Sequence, residues 1–156
     1  MATHITREIA QKVRDVVDAG LTAGLGVQEP GKMCVEAAVC YALCLPHNDD
    51  PGCVSQPLRH LKIRLNDSRW SSDQARAVGL RRLAVAQLGS AGALDDLEFK
   101  RRVVDMTIRK AVPVGLRAAE KRNPKHAEKM KAAAVRCELE GTRETLIAAR
   151  AAAVYA

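Results

Sequence analysis

Apolar residues recur at helical spacing along most of the chain. The first set, near the N-terminus, consists of Ile5, Ile9, Val13, Val16 and Val17. These positions share one face of a helix, because side chains three and four residues apart are neighbours on a helical surface. Thr3 can cap this helix and Gly20 can stop it. The pattern predicts an amphipathic opening helix.

Residues 31–45 are apolar on every side rather than along one stripe. Pro30 suits the first turn of a helix, because its missing N–H needs no partner there, and Pro46 ends the helix. A helix without a polar face is normally buried at the centre of a bundle. We therefore predict an all-α fold, a compact bundle of about six to eight helices around a central apolar helix 31–45.

Two further helices are predicted after a proline- and glycine-containing loop at 46–56. Pro57 opens the third helix, although residues 61–65 also alternate as a strand would, and we prefer the helical interpretation. Ser71 or Ser72 caps a fourth helix that Gly89 ends.

The last third of the chain is also predicted to be helical. Asp95 or Asp96 starts a helix, and Pro113 must kink or split it, because the ring removes a hydrogen bond and crowds the preceding turn. Its inward positions are Leu97, Val104 and Ile108. A further helix from Asn123-Pro124 reaches residue 140, and the chain restarts after residue 141 into an alanine-rich end.

Composition narrows the class of protein. The chain has 156 residues, and this length predicts a single domain 1–156. Charged residues make up 28% of the chain, and no apolar run is long enough to span a membrane. The N-terminus lacks a signal-peptide pattern, so we expect a cytoplasmic protein with reduced thiols. The alanine-rich C-terminal helix stops without a cap, which indicates either a fragment of a longer chain or a helix that packs against a partner such as a second copy.

The charge is unevenly distributed. Residues 57–136 contain 19 Lys/Arg against 8 Asp/Glu, whereas the whole chain carries a net charge of +7. Such an excess predicts a positive face that binds nucleic acid or another phosphate-bearing polyanion, although solvated helix faces also carry many basic residues. The predicted contacts are Arg59, Lys62, Arg64, Arg69, Arg76, Arg81, Arg82, Arg101 and Arg102. Aromatic residues make up 3% of the chain, which favours duplex or phosphate binding over single strands.

Cys34 and Glu36 are the candidate catalytic residues. Cys34 falls in the first turn of the predicted helix 31–45 beside Lys32, where the helix dipole and the lysine favour a thiolate nucleophile. Glu36 is the only charge between Lys32 and Asp49 and lies among apolar residues, so it needs a partner, for which we expect an arginine of the later helices. The alternatives are a buried thiol that only packs and an ion pair that only stabilises the fold.

Four residues are candidate zinc ligands: Cys40, Cys44, His47 and Cys53. Their spacing permits a Cys₃His site but departs from the paired clusters of most structural zinc sites, so we expect buried thiols and no cofactor. The sequence therefore predicts a helical protein that binds nucleic acid or another polyanion. The alternatives are a small hydrolase or transferase acting through Cys34 and a structural or assembly protein.

Overall fold

The computed structural model describes residues 4–154, so the predicted cap Thr3 lies outside the described residues. The described chain is helical and contains no named strand, which confirms the all-α prediction. The chain divides into two compact units, Met1–Asp96 and Leu97–Ala156, and the single domain expected from its length stays a prediction. We call them the first and second units.

The first unit contains α1 (Arg7–Asp18), α2 (Val35–Ala42), α3 (Gln56–Asn66) and α4 (Asp73–Ala86). Thr6 caps α1, because its hydroxyl accepts a hydrogen bond from the Ile9 N–H at 3.2 Å. The buried residues of α1 are Val13, Val16 and Val17, which confirms most of the predicted stripe. Ser72 caps α4 as predicted, and α3 is helical rather than extended.

The central helix is confirmed, but its predicted bounds are wrong. α2 spans eight residues instead of 31–45, with every residue except Tyr41 buried. The preceding segment forms a tight turn in which the Val27 N–H donates to the Lys32 carbonyl at 2.9 Å. Gly26 is required there, since it has φ 71° and an added Cβ would lie 2.0 Å from that carbonyl oxygen. Pro30 therefore belongs to the turn and not to the helix.

Two polar side chains tie the loops of the first unit to its helices. Buried Asn66 accepts a hydrogen bond from the Val35 N–H at 3.2 Å and donates to the Thr22 carbonyl at 2.9 Å. Arg76 donates to the carbonyls of Asn66 and Leu21 at 2.8 and 2.9 Å. Two of these bonds satisfy backbone groups that helices leave without partners, the Val35 N–H at the start of α2 and the Asn66 carbonyl at the end of α3.

The second unit contains α5 (Asp96–Met106), a π-helical segment (Thr107–Ala111), α6 (Val112–Glu120), a short 3₁₀ turn (Pro124–His126), α7 (Ala127–Glu140) and α8 (Arg143–Val154). The π-helical segment ends just before Pro113, which confirms that this residue interrupts the helix. Proline cannot donate a hydrogen bond and crowds the carbonyl four residues earlier, so a wider turn accommodates it.

The core of the second unit is formed by Ile108, Leu116, Met130, Ala134, Cys137 and Ala149. α5 contributes no buried residue. Two of its predicted inward residues, Leu97 and Val104, are instead 63% and 56% exposed, and only Ile108 is buried. The prediction failed because α6, α7 and α8 pack against one another and enclose the core without α5. Among residues 4–154, no helix is both long enough and apolar enough to cross a bilayer.

Candidate functional site

Glu36 pairs with Lys62 at the centre of the first unit. Glu36 Oε1 lies 3.2 Å from Lys62 Nζ, and both side chains have no solvent exposure. Gln87 donates to Glu36 Oε2 at 3.3 Å. Burial lowers the pKa of Lys62 to about 8 and raises the pKa of Glu36, with each charge opposing the effect on the other. The partner of Glu36 is therefore a lysine of α3 and not an arginine of a later helix.

Cys34 lies at the N-cap of α2, where its sulfur accepts a hydrogen bond from the Ala37 N–H at 3.3 Å. It is 5% exposed and borders a crevice of about 40 Å³, which is far smaller than an ordinary ligand site. Burial raises the pKa of Cys34 above its ordinary value and outweighs the two backbone hydrogen bonds that lower it. The thiolate that the sequence predicted is thus disfavoured, and Glu36 is already engaged by Lys62.

Three of the four candidate zinc ligands contact different protein groups, and the fourth is buried. Cys40 donates to Asn48 Oδ1 at 3.4 Å, Lys12 donates to the Cys44 sulfur at 3.4 Å, and His47 Nε2–H donates to the Gly26 carbonyl at 3.1 Å. Cys53 is buried, and burial raises the pKa values of Cys53 and Cys40, the latter to about 12. Within the described residues, no three His, Cys, Asp or Glu side chains converge as a metal site.

The predicted bounds placed Cys44 deep in the central helix, but Cys44 lies outside that helix. α2 ends before it, and Cys44 adopts a left-handed backbone conformation with φ 57°. Among the five cysteines it is the exposed one.

Three of the predicted basic contacts of the first unit are engaged by protein groups. Lys62 is buried against Glu36, and Arg76 is 7% exposed and bonds to backbone carbonyls. Arg59 donates to the side chain and the backbone oxygen of Asp49 at 2.5 and 2.6 Å. These three side chains do not contribute to an outward basic face, because their charged groups are bound by other groups of the first unit.

The remaining predicted contacts are accessible. Arg64, Arg69 and Arg82 are exposed. Arg81 is partly exposed and pairs with Asp18 at 2.5 Å. In the second unit, Arg101 is exposed, and Arg102 is exposed while pairing with Glu98 at 2.8 Å.

Trp70, the single tryptophan, serves the fold of the first unit. Its indole N–H donates to the Leu65 carbonyl at 2.8 Å. Its ring lies against α4, where a Cβ added at Gly79 would come within 2.4 Å of the ring. Trp70 is therefore half-buried and engaged in the packing of α4.

The net charge of the chain belongs to the second unit. Residues 1–96 contain 11 Lys/Arg and 11 Asp/Glu, whereas residues 97–156 contain 14 and 7, which accounts for the whole +7. Within the described part of this unit, ten of these cations are exposed and form no ion pair: Lys100, Arg101, Lys110, Lys121, Arg122, Lys125, Lys129, Lys131, Arg143 and Arg150. Of these ten exposed cations, one, Arg101, is among the nine predicted contacts.

Four of these cations cluster where α6 turns into α7: Lys121, Arg122, Lys125 and Lys129. We call this cluster the basic turn. Lys125 lies in the 3₁₀ turn, and Lys129 lies in the first turn of α7. Glu120 and Glu128 flank the cluster without forming an ion pair in the described chain. The predicted contacts ended at residue 102 and missed this cluster, although its charge density was visible in the sequence.

The chain matches no family model, and neither a curated protein nor a solved structure matches it.

Proposed function

We propose that the protein binds a phosphate-bearing polyanion, with duplex nucleic acid as the expected ligand, through the exposed cations of the second unit. The observation that carries this proposal is the net charge of +7 concentrated in residues 97–156, where ten exposed cations have no carboxylate partner within the described chain. Unpaired Lys and Arg side chains neutralise phosphates and release condensed counterions, and this release supplies most of the sequence-independent affinity for nucleic acid.

Three features favour a duplex over a single strand. Single strands are held by base stacking on exposed aromatic rings, and the chain has four aromatic residues in all. Trp70 is engaged in the fold, and Phe99 is half-buried. Contacts to the backbone phosphates need only exposed cations, which the second unit has in excess.

The alternative of a cysteine-dependent hydrolase has little support. Cys34 is buried, its pKa is raised, and its neighbour Glu36 is held in an ion pair. A nucleophile needs access, a thiolate and a base, and this site offers none of the three to a substrate.

Binding to a fluorescently labelled DNA duplex, measured by anisotropy across a salt series, tests the proposal. We expect the logarithm of the binding constant to fall linearly with the logarithm of salt concentration, by about 0.9 per phosphate neutralised. Replacing the four cations of the basic turn by glutamine should reduce the steepness of this slope by up to about 3.6, if each contacts one phosphate.

The matched control replaces Arg64 and Arg69, which are exposed in the electrically neutral first unit, and should leave the slope unchanged. Absence of binding at low salt, or a salt-independent binding constant, would refute the proposal. Tighter binding to polyphosphate or heparin than to the duplex would keep the basic surface but reject nucleic acid as its ligand.

A further inference from the structure

A groove lies between α1 and α4 in the first unit, with a volume of about 480 Å³. Four arginines line it: Arg7 and Arg14 from α1, and Arg81 and Arg82 from α4. Asp18 offsets part of this charge, since it pairs with Arg81 at 2.5 Å and lies 3.9 Å from Arg14. The groove therefore presents a concentrated positive potential in a unit whose net charge is zero.

Two of these arginines are available to a ligand. Arg7 and Arg82 are exposed, and neither forms an ion pair within residues 4–154. Guanidinium groups on facing helices repel one another, so an anion held between them relieves an unfavourable interaction as well as adding charge-assisted hydrogen bonds. The planar fork of arginine suits phosphate and carboxylate groups in particular.

The remainder of the groove is mostly apolar. Its lining includes Ala10 from α1 and Val85 and Ala86 from α4. The two alanines leave space that larger side chains would fill. The polar Gln11 also faces the groove but donates to Asp15 at 2.7 Å. A ligand that contacted only the arginines would leave this apolar wall in water.

We propose that this groove is a binding site for a small organic anion, one in which a phosphate or carboxylate is joined to an apolar body. Its volume falls within the range of about 300–1,000 Å³ that small-molecule sites occupy, and its lining combines an apolar wall with a few convergent polar groups. The anionic group lies between Arg7 and Arg82, and the apolar body lies against Ala86 and its neighbours. A polymeric polyanion fits less well, because its phosphates require charge but no apolar wall.

Calorimetric titration of the full chain with four probes tests this site. Adenosine monophosphate and octanoate supply the two anionic groups on an aromatic and an aliphatic body, while inorganic phosphate supplies the charge alone and adenosine the aromatic body alone. We expect at least one of the first pair to bind with one-to-one stoichiometry, at least about tenfold more tightly than either of the second pair. The probe that binds identifies the anionic group.

Three substitutions locate the bound probe. Arg7→Gln and Arg82→Gln should each weaken binding about tenfold, the effect of losing one charge-assisted hydrogen bond. Ala86→Phe should abolish binding by filling the groove while retaining its charge. Arg64→Gln and Arg69→Gln, exposed elsewhere on the first unit, should bind as the native chain does. All five side chains are exposed, so circular dichroism should show unchanged folding.

Three results would overturn the proposal. The first is that neither adenosine monophosphate nor octanoate binds more tightly than inorganic phosphate. The second is binding that Arg7→Gln, Arg82→Gln and Ala86→Phe leave unchanged. The third is that Arg7→Gln and Arg82→Gln weaken duplex DNA binding while the small probes give no heat, which would assign these arginines to a polyanion surface. The first two outcomes do not involve duplex DNA, so they leave the proposed function of the second unit untouched, whereas the third would extend DNA binding to the first unit.

Discussion

Two opposite charges, Lys62 and Glu36, lie fully buried at the centre of the first unit. Removing both from water costs several kcal/mol per ion, and their mutual attraction at 3.2 Å repays that cost only in part. The sequence showed that Glu36 needed a partner, because it is isolated in an apolar segment. It could not show which cation turns inward, since α3 presents several and only tertiary packing selects Lys62.

A double-mutant cycle on this pair should separate the cost of burial from the cost of breaking the pair. Lys62→Met and Glu36→Leu should each lower the free energy of unfolding by about 3–5 kcal/mol, because each leaves one buried charge without its partner. The double variant should be at least as stable as the native chain, since apolar side chains of similar size replace both charges. Urea denaturation of the native chain, the two single variants and the double variant measures the free energy of unfolding of each.

The same cycle has a pH dependence with a defined sign. Lys62 has a pKa of about 8 when folded and 10.5 ordinarily, so between these values the unfolded chain holds a proton that the folded chain has lost. Its contribution to the free energy of unfolding therefore rises with pH over this interval. Buried Cys34, Cys40 and Cys53 have raised pKa values and act in the opposite direction. Comparison with the double variant, which keeps the thiols, isolates the lysine, and identical pH profiles would contradict the assignment.

Helix ends show which parts of an element can be predicted from local sequence. Ser72 and Gly141 mark helix boundaries through short-range chemistry, and both boundaries were predicted. The start of α2 was missed because it depends on a turn around Gly26 whose close contact is visible only in three dimensions. The inward face of α5 was missed for a related reason, since helical spacing alone does not show which apolar face becomes covered.

Arg109, in the π-helical segment, completes the C-terminal end of α7. Its guanidinium donates to the carbonyls of Glu138, Leu139 and Glu140 at 2.9, 2.8 and 2.8 Å. These oxygens belong to the last turn of a helix, where no intrahelical donor remains. Gly141 makes room for this arrangement, because an added Cβ would lie 2.4 Å from the guanidinium.

Arg109→Lys should therefore destabilise the protein although it keeps the charge. A lysine ammonium lacks the planar fork that reaches three carbonyls, so we expect the free energy of unfolding to fall by about 1–3 kcal/mol. Arg101→Lys, an exposed residue of α5 without an ion pair in the described chain, is the matched control and should change nothing measurable. Equal urea midpoints for the two variants would show that the three hydrogen bonds contribute little.

The distribution of charge over the whole molecule follows from the boundary between the units. Residues 57–136 include basic residues of both units. They also include Arg59, Lys62 and Arg76, whose side chains are bound by other groups of the first unit. The overall excess of positive charge was predictable from composition. Its location was not, because the position of the boundary and the inward turn of those three side chains are set by tertiary contacts.

The second unit has 14 basic and 7 acidic residues, so we expect repulsion among its like charges to destabilise its fold. Raising sodium chloride from about 20 to about 200 mM shortens the Debye length from about 20 Å to about 7 Å, so it should raise the Tm of the free protein. Replacing the four cations of the basic turn by glutamine should reduce this rise, because fewer like charges remain to be screened. Differential scanning fluorimetry measures both proteins, and a Tm that salt leaves unchanged or lowers would mean that repulsion in this unit is negligible. The same salt is expected to weaken polyanion binding, so these cations should give salt effects of opposite sign on folding and on binding.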